Sequence, residues 1–124
     1  MGMTVAASAP WLVVCLCAEW CGTCKQYQPA FEQLAQALPQ LQFAWLDVED
    51  EEEALGELDI VTFPTVLVAQ GEQAVFLGPL LPQIGVLQRM LERFVSDGAA
   101  PLPAGDAAHE LLRNTRRVLA ERAS

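Results

Sequence analysis

One short apolar run sets the limits on what this chain can fold into. Trp11–Cys17 reads WLVVCLC and contains no charged or amide side chain. A strand with one face in water alternates apolar and polar residues, whereas a strand that is apolar throughout must be covered on both faces. The run therefore predicts a central strand with helices packed on either side. With 124 residues, the chain has room for one domain of this kind.

Hydrophobic spacing predicts the other elements. Tyr27, Phe31, Leu34 and Leu38 recur at helical intervals, and Pro29 within this pattern should kink the helix. Gly78-Pro79 should end a strand, and Pro82 suits the first turn of a helix. The remaining predicted elements are strands over 41–48, 65–69 and 73–77, a short acidic helix over 51–58, and a helix ending near residue 95.

The order of these elements predicts an α/β fold with a mixed central sheet. Two strands joined by a helix should be parallel with a right-handed crossover, and the hairpin should add antiparallel strands. We expect a domain over 1–96 and a Pro/Gly/Ala linker over 97–105. An amphipathic helix should follow over 106–124, capped by Asp106. Its apolar face could fold back on the sheet and cover an exposed edge, or it could dock a partner or form a dimer.

Charge excludes some partners. The net charge is −9, which argues against nucleic acid and against anionic membrane surfaces, since both attract basic proteins. Half of the 16 acidic residues lie in 47–59, which we interpret as a solvated face, with a docking surface for a basic partner as the alternative. The arginine-rich face of the last helix could contact this acidic segment.

The cellular location is predicted from the residues that precede Lys25, which is the first basic residue in the sequence. The longest nearly apolar run, 5–18, has 14 residues, whereas a membrane-spanning helix needs about 20. A secretory signal has basic residues before its apolar stretch, and this run has none. We therefore expect a cytoplasmic protein. A mature chain whose signal had been removed would look the same and would be periplasmic.

Two cysteines carry the predicted chemistry. Cys21-Gly22-Thr23-Cys24 follows the buried strand and opens a helix. Unpaired backbone N–H groups at a helix N-terminus favour the thiolate of Cys21, the reactive form in disulfide exchange. Cys24 lies one helical turn further on, close enough to attack a mixed disulfide at Cys21. The motif therefore predicts a redox-active pair.

The motif and its surroundings resemble the thioredoxin family. Residues 18–25, AEWCGTCK, are similar to the active-site segment of that family, and Pro29 matches its helix-kinking proline. Phe63-Pro64-Thr65 is similar to its cis-proline loop, and Gly71 and Gly78 fall where the family has glycines around its last hairpin. The resemblance covers roughly 11–95, and this combination is much more specific than a CxxC motif alone.

The resemblance implies a thioredoxin-like fold and a thiol–disulfide oxidoreductase. Cys21 would attack the substrate disulfide and Cys24 would resolve the mixed disulfide, with no cofactor and no metal. The implied partners are protein disulfides or dithiols and a recycling reductase or oxidant, and the implied state is a monomer. The residues implied to contact substrate are Trp20, Gly22, Thr23, Thr62, Phe63 and Pro64.

The chain also departs from the family pattern. Only about ten residues precede Trp11, so the usual first strand and helix should be short or missing. Thr23 replaces the proline between the cysteines. Cys15 stands where the family has a buried carboxylate that relays a proton, and Trp45 stands at the position of its lysine partner. Water or Glu19 could take over the proton transfer.

Several alternatives stay open from sequence. Cys15 and Cys17 share one face of an apolar strand, so we interpret them as small hydrophobic residues, with an auxiliary redox role as the alternative. A metal site of all four cysteines is a minor alternative. His109 is interpreted as a surface residue without a catalytic role. The second candidate function is a binding or chaperone-like module with little redox turnover.

Overall fold

The computed structural model describes residues 10–56, 58 and 60–123. Its eight elements in chain order are β1 (Trp11–Cys17), α1 (Gly22–Ala37), β2 (Gln42–Asp47), α2 (Glu52–Leu55), β3 (Thr65–Gln70), β4 (Gln73–Pro79), α3 (Ile84–Asp97) and α4 (Ala107–Ala123). The expected short or missing N-terminal unit falls on residues 1–9, which lie outside the described part of the chain. None of the helices described is long and apolar enough to cross a membrane.

The four strands form one sheet in the order β2-β1-β3-β4. β1 pairs in parallel with β2, and Val14 lies opposite Ala44. On its other side β1 pairs antiparallel with β3, where Val14 lies opposite Leu67. β3 and β4 form an antiparallel hairpin. The predicted mixed sheet, its parallel crossover pair and its hairpin are thus confirmed, and β1 lies inside the sheet as its apolar run predicts.

Side chains of β1 alternate between two hydrophobic layers. Leu12, Val14 and Leu16 pack in one cluster with residues of α2 and α4. Val13, Cys15 and Cys17 pack in the opposite cluster, with residues of α1 and α3. Successive side chains of a strand point to opposite faces, so this division follows from the strand itself. All six side chains are at most 1% exposed, which explains why the run contains no charged residue.

The C-terminal helix α4 packs on a face of the sheet. Ala108, Leu111 and Leu112 are buried in the same cluster as Leu12 and Leu67. The helix thus folds back on the sheet, which is one of the possibilities that the sequence left open, and its buried cluster includes Ala74 of the edge strand β4. Asp106 caps the helix as predicted, since its Oδ1 accepts the Ala108 N–H at 2.9 Å.

Polar contacts fix α4 against the acidic segment. Arg122 Nη2 lies 3.4 Å from Glu51 Oε1, and this is the contact between the basic helix face and the acidic segment that the sequence suggested. Arg122 Nη1 also donates to the Trp45 carbonyl at 3.2 Å. Asn114 Nδ2 donates to the Ala54 carbonyl at 3.2 Å. One part of the acidic segment therefore anchors the last helix.

The interpretation of His109 as a surface residue is wrong. Its ring is half-buried, and its Nδ1 accepts the Ala74 N–H at 3.2 Å. Its Nε2 lies 3.0 Å from the carbonyl oxygens of Leu102 and Pro103, so it carries the proton and donates. His109 thus ties the segment before α4 to strand β4. Sequence patterns did not show this because the partners are backbone groups, which no side-chain pattern marks, and one of them, Ala74, is distant along the chain.

Several element boundaries differ from the prediction. β4 extends past residue 77, its predicted end, through Gly78 to its last residue, Pro79. β4 is an edge strand, and a proline is tolerated there because one side of the strand needs no N–H donor. Pro82 precedes α3, which begins at Ile84. The acidic helix is only Glu52–Leu55, and the C-terminal part of its predicted range includes residue 57, which is not described.

Truncation of Leu111 tests the role of α4. Leu111 is 1% exposed, so Leu111→Ala should lower the free energy of unfolding by about 2–5 kcal/mol through lost burial and a new cavity. Arg113→Ala, on the exposed face of the same helix, should change it by about 0.5 kcal/mol or less. Urea denaturation measures both. Equal stabilities for the two variants would show that α4 does not pack on the sheet.

Candidate active site

The junction between β1 and α1 places Cys21 at a helix N-terminus. Cys21 is the N-cap of α1 and has an extended backbone, with φ −84° and ψ 120°. Its carbonyl accepts the first helical hydrogen bond, from the Lys25 N–H at 3.1 Å, and its own N–H donates to the Ala18 carbonyl at 3.0 Å. The thiol of Cys21 is free and half-buried. The first-turn N–H groups that have no helical partner lie beside it and favour a negative charge there.

Cys24 lies on the first turn of α1 and points into the protein. It is 2% exposed and is disulfide-bonded to Cys17, with an S–S distance of 2.21 Å and a Cα–Cα distance of 5.9 Å. Cys15 is a free, buried thiol whose Sγ lies 3.9 Å from the Sγ of Cys17. The interpretation of Cys17 as only a small hydrophobic residue is therefore wrong. The predicted partner of Cys24 was Cys21, whereas in this structure Cys24 is bonded to Cys17.

The alternation of β1 explains this pairing. Cys15 and Cys17 are two residues apart, so both face the layer formed by α1 and α3, and Cys24 is buried in that same layer. Cys17 is the last residue of β1 and therefore lies level with the first turn of the helix that follows. Four cysteines allow three full pairings, and spacing alone does not select among them.

Beneath the disulfide, neutral groups occupy the positions where the resemblance implies a carboxylate and a lysine. Cys15 and Trp45 are direct partners in the β1–β2 register. Burial raises the pKa of the Cys15 thiol to about 12, so it stays protonated at neutral pH. Burial, with a smaller contribution from Cys15, also raises the pKa of Tyr27. The Tyr27 hydroxyl has no hydrogen-bond partner among the described residues.

A cavity of about 390 Å³ opens beside Cys24. Its lining includes Glu19, Lys25, Trp45 and Asp47. Glu19 is exposed, whereas Cys24 itself is only 2% exposed, so the cavity borders Cys24 without opening its sulfur to solvent. This arrangement is compatible with both candidates for proton transfer that the sequence left open, water and Glu19.

Two acidic residues hold the segment that precedes Cys21. Asp47 Oδ2 accepts the Glu19 N–H at 2.9 Å, and its Oδ1 accepts the N–H groups of Glu49 and Asp50 at 2.8 and 3.2 Å. Glu49 Oε2 accepts the Trp20 Nε1–H at 2.9 Å. Sequence reasoning missed this role, because it treated these residues as part of a solvated acidic face. The signal available was that Asp47 ends the strand parallel to β1.

An exposed apolar patch lies next to the cysteines. Trp20 is 65% exposed, and its ring contacts Phe63 edge-on at a centroid distance of 5.9 Å. Val61 is 73% exposed. Phe63 packs against the same two clusters as Cys21, so the structure brings these predicted contact residues together. Exposed aromatic groups of this kind are common at protein interfaces.

The remaining predicted contact residues differ in exposure. The Phe63-Pro64 bond is cis, as the resemblance implied. Pro64 is buried, while Thr62 is exposed and its carbonyl accepts a hydrogen bond from the Thr65 hydroxyl. Gly22 is exposed and Thr23 is half-buried on the first turn of α1. Within the described part of the chain, no group of three or more His, Cys, Asp or Glu side chains is arranged to hold a metal ion.

Comparisons with known proteins agree on one family. The family model described as thioredoxin matches residues 3–79. The mitochondrial thioredoxin-3 of Saccharomyces cerevisiae is 31% identical over 86 residues, which cover 69% of this chain and 64% of the yeast protein. A bifunctional thioredoxin reductase/thioredoxin of Mycobacterium leprae is 41% identical over 59 residues, which cover 47% of this chain and 13% of that protein. This chain thus spans less than two thirds of either curated relative.

A solved structure shows the same fold. The X-ray structure of Fasciola hepatica thioredoxin matches with a TM-score of 0.63 and 26% identity. The match covers 74% of this chain and 88% of the Fasciola protein. The predicted thioredoxin-like fold is therefore confirmed.

The buried thiol of Cys15 predicts a pH dependence of stability. An unfolded cysteine has a pKa near 8.5. Because burial raises the folded-state pKa to about 12, the folded protein holds this proton more tightly. The resulting stabilisation is complete below about pH 8.5 and is lost as the pH rises towards 12. The free energy of unfolding should therefore fall less steeply in Cys15→Ala than in the parent over that range.

Urea denaturation at several pH values measures this difference. Alkylating Cys21 beforehand in both proteins removes that thiol from disulfide exchange at high pH. The two proteins differ in the Cys15 thiol, so the difference in slope measures its ionisation together with its small effect on Tyr27. Identical slopes would contradict the burial of a neutral thiol at this position.

Proposed function

This chain belongs to the thioredoxin family, and we propose that it is a thiol–disulfide oxidoreductase that exchanges a Cys21–Cys24 dithiol or disulfide with protein substrates. The observation that carries the proposal is the placement of the two sulfur atoms. Cys21 is a half-buried free thiol at the N-terminus of α1, and Cys24 is buried one turn behind it. This arrangement provides one nucleophile for the substrate and one thiol to resolve the mixed disulfide.

The reaction proceeds in two exchange steps. The Cys21 thiolate attacks one sulfur of a substrate disulfide, the substrate S–S bond breaks, and the released substrate thiolate takes up a proton. Cys24 then loses its proton and attacks the Sγ of Cys21. The Cys21–Cys24 bond forms, and the second substrate sulfur leaves as a thiolate. Two electrons pass from the cysteine pair to the substrate, which is reduced to a dithiol.

The apolar patch provides the substrate contacts. Trp20 and Val61 present exposed apolar surface, and Phe63 packs against Trp20. Following the resemblance, we assign Thr62, Phe63 and Pro64 to one wall of a substrate groove, and Gly22 and Thr23 to the other. The hydrogen bond from Trp20 to Glu49 keeps the indole oriented without burying it.

Recycling requires a second protein. Reduction of a substrate leaves an oxidised cysteine pair, which a reductase must reduce before the next turnover. The Mycobacterium leprae relative, named as a thioredoxin reductase and a thioredoxin together, supports a partner of the thioredoxin reductase class. We propose that the chain works as a monomer in the cytoplasm, where small thiols and reductases keep dithiols reduced.

The second candidate function is a thioredoxin-fold binding or chaperone-like module with little redox turnover. It is favoured by the neutral Cys15 at the position of the proton-relaying carboxylate, which slows resolution by Cys24 if no other group takes its place. In such a module the exposed apolar patch would hold a client whatever the state of the cysteines.

Insulin reduction in the presence of dithiothreitol separates the two candidates. The parent protein should accelerate insulin precipitation, and Cys21→Ser should lower the rate to that of dithiothreitol alone because the nucleophile is lost. Cys24→Ser should accumulate a mixed disulfide at Cys21, visible by mass spectrometry. Cys15→Ala is the matched control and should keep the rate within about twofold, since the mechanism does not use this buried thiol.

The opposite result identifies the binding module. A parent protein no faster than dithiothreitol alone, with unchanged client binding in the double variant Cys21→Ser/Cys24→Ser, would refute the enzyme proposal.

A further inference from the structure

A third sulfur lies within bonding distance of the proposed pair. Cys17 is bonded to Cys24, and both are nearly inaccessible, at 1% and 2% exposure. Cys21 packs against the cluster that holds these two residues and is a neighbour of Cys24 on the first turn of α1. Cys24 can therefore bond in two directions, to Cys21 towards the surface or to Cys17 towards the core.

We propose that Cys17 is a second disulfide partner of Cys24, and that the Cys17–Cys24 bond is an inactive oxidised form that Cys21 opens by internal exchange. This inference rests on the proposed function, because the form is inactive with respect to that reaction. While Cys24 is bonded to Cys17, a mixed disulfide at Cys21 has no thiol to resolve it.

The exchange is balanced without any other reactant. The Cys21 thiol gives up its proton, and its thiolate attacks the Sγ of Cys24. The Cys21–Cys24 bond forms as the Cys17–Cys24 bond breaks, and Cys17 leaves as a thiolate that takes up one proton. Both forms contain one disulfide, so no electrons are gained or lost, and the reverse reaction restores the buried bond.

Burial selects Cys21 as the thiol that opens this bond. A thiol outside the protein cannot reach Cys17 or Cys24, since both are almost fully covered. Cys15 is close, with its sulfur 3.9 Å from that of Cys17, but burial raises its pKa to about 12 and leaves it a neutral thiol. Thiolates and not thiols attack disulfides. Only Cys21 combines access to solvent with contact to the cluster.

Cleavage sites in the sequence allow the two forms to be distinguished. Cleavage after Glu19 and Lys25 separates 1–19, which holds Cys15 and Cys17, from 20–25, which holds Cys21 and Cys24. Under acid-quenched conditions the Cys21–Cys24 form yields an internally linked 20–25 peptide, whereas the Cys17–Cys24 form yields 1–19 joined to 20–25. Mass spectrometry quantifies the two products.

The experiment treats the oxidised, folded protein with iodoacetamide and follows both products over time. A free Cys21 thiol is present only in the Cys17–Cys24 form, so alkylation traps that form. The Cys21–Cys24 form then converts into the Cys17–Cys24 form by internal exchange and is alkylated in turn. The internally linked peptide should disappear, and joined peptide alkylated at Cys21 should increase by the same amount. In Cys17→Ala the amount of internally linked peptide should stay constant, because Cys24 has no second partner. In Cys15→Ala the joined peptide should still form, because Cys15 takes no part in the exchange.

Two results would overturn the proposal: absence of the joined peptide from the oxidised parent protein, or an internally linked peptide that stays constant under iodoacetamide. The time course in the parent protein decides this even if Cys17→Ala does not fold. Failure of the proposed function is separately visible, because the peptide map needs no substrate. A chain that reduces insulin but shows no exchange refutes this inference alone, and one that exchanges internally without reducing insulin refutes the proposed function alone.

Discussion

The alternation of side chains along β1 decides which residues meet in each hydrophobic layer of this protein. β1 pairs on both sides within the sheet, so every one of its side chains must enter one of two helical layers. Leu12, Val14 and Leu16 build the layer that α4 completes. Cys15 and Cys17 enter the layer of α1, where Cys24 is also buried. A shift of one residue in this strand would exchange the two sets and separate the sulfur atoms.

The acidic segment shows how one sequence feature can serve several structural roles. Asp47 accepts three backbone N–H groups and fixes the approach to Cys21. Glu49 orients Trp20, and Glu51 pairs with Arg122 of α4. The contacts of Asp47 with Glu19, of Glu49 with Trp20 and of Glu51 with Arg122 link residues that are distant in sequence. The acidic side chains that keep this surface polar therefore also connect two other parts of the chain to the end of β2 and the residues after it. These parts are the segment before Cys21 and the last helix, α4.

Local patterns in the sequence predicted much of the fold and part of the site. The apolar run of β1 and the helical spacing after Cys24 are short-range signals, and each predicted its element correctly. The Cys17–Cys24 bond, the hydrogen bonds of Asp47 and the role of His109 were not predicted. These depend on which individual side chains and backbone groups meet in the folded chain, and hydrophobic periodicity does not specify single polar or sulfur contacts.

The four sulfur atoms are ordered from surface to core: Cys21 is half-buried, whereas Cys24, Cys17 and Cys15 are at most 2% exposed. Alkylation of the fully reduced, folded protein, followed by peptide mapping of each cysteine, measures this order. Cys21 should be labelled first, and Cys15, Cys17 and Cys24 should stay protected until the protein unfolds. Labelling of Cys17 or Cys24 as fast as Cys21 in the folded protein would show that the sulfur atoms are not ordered in this way.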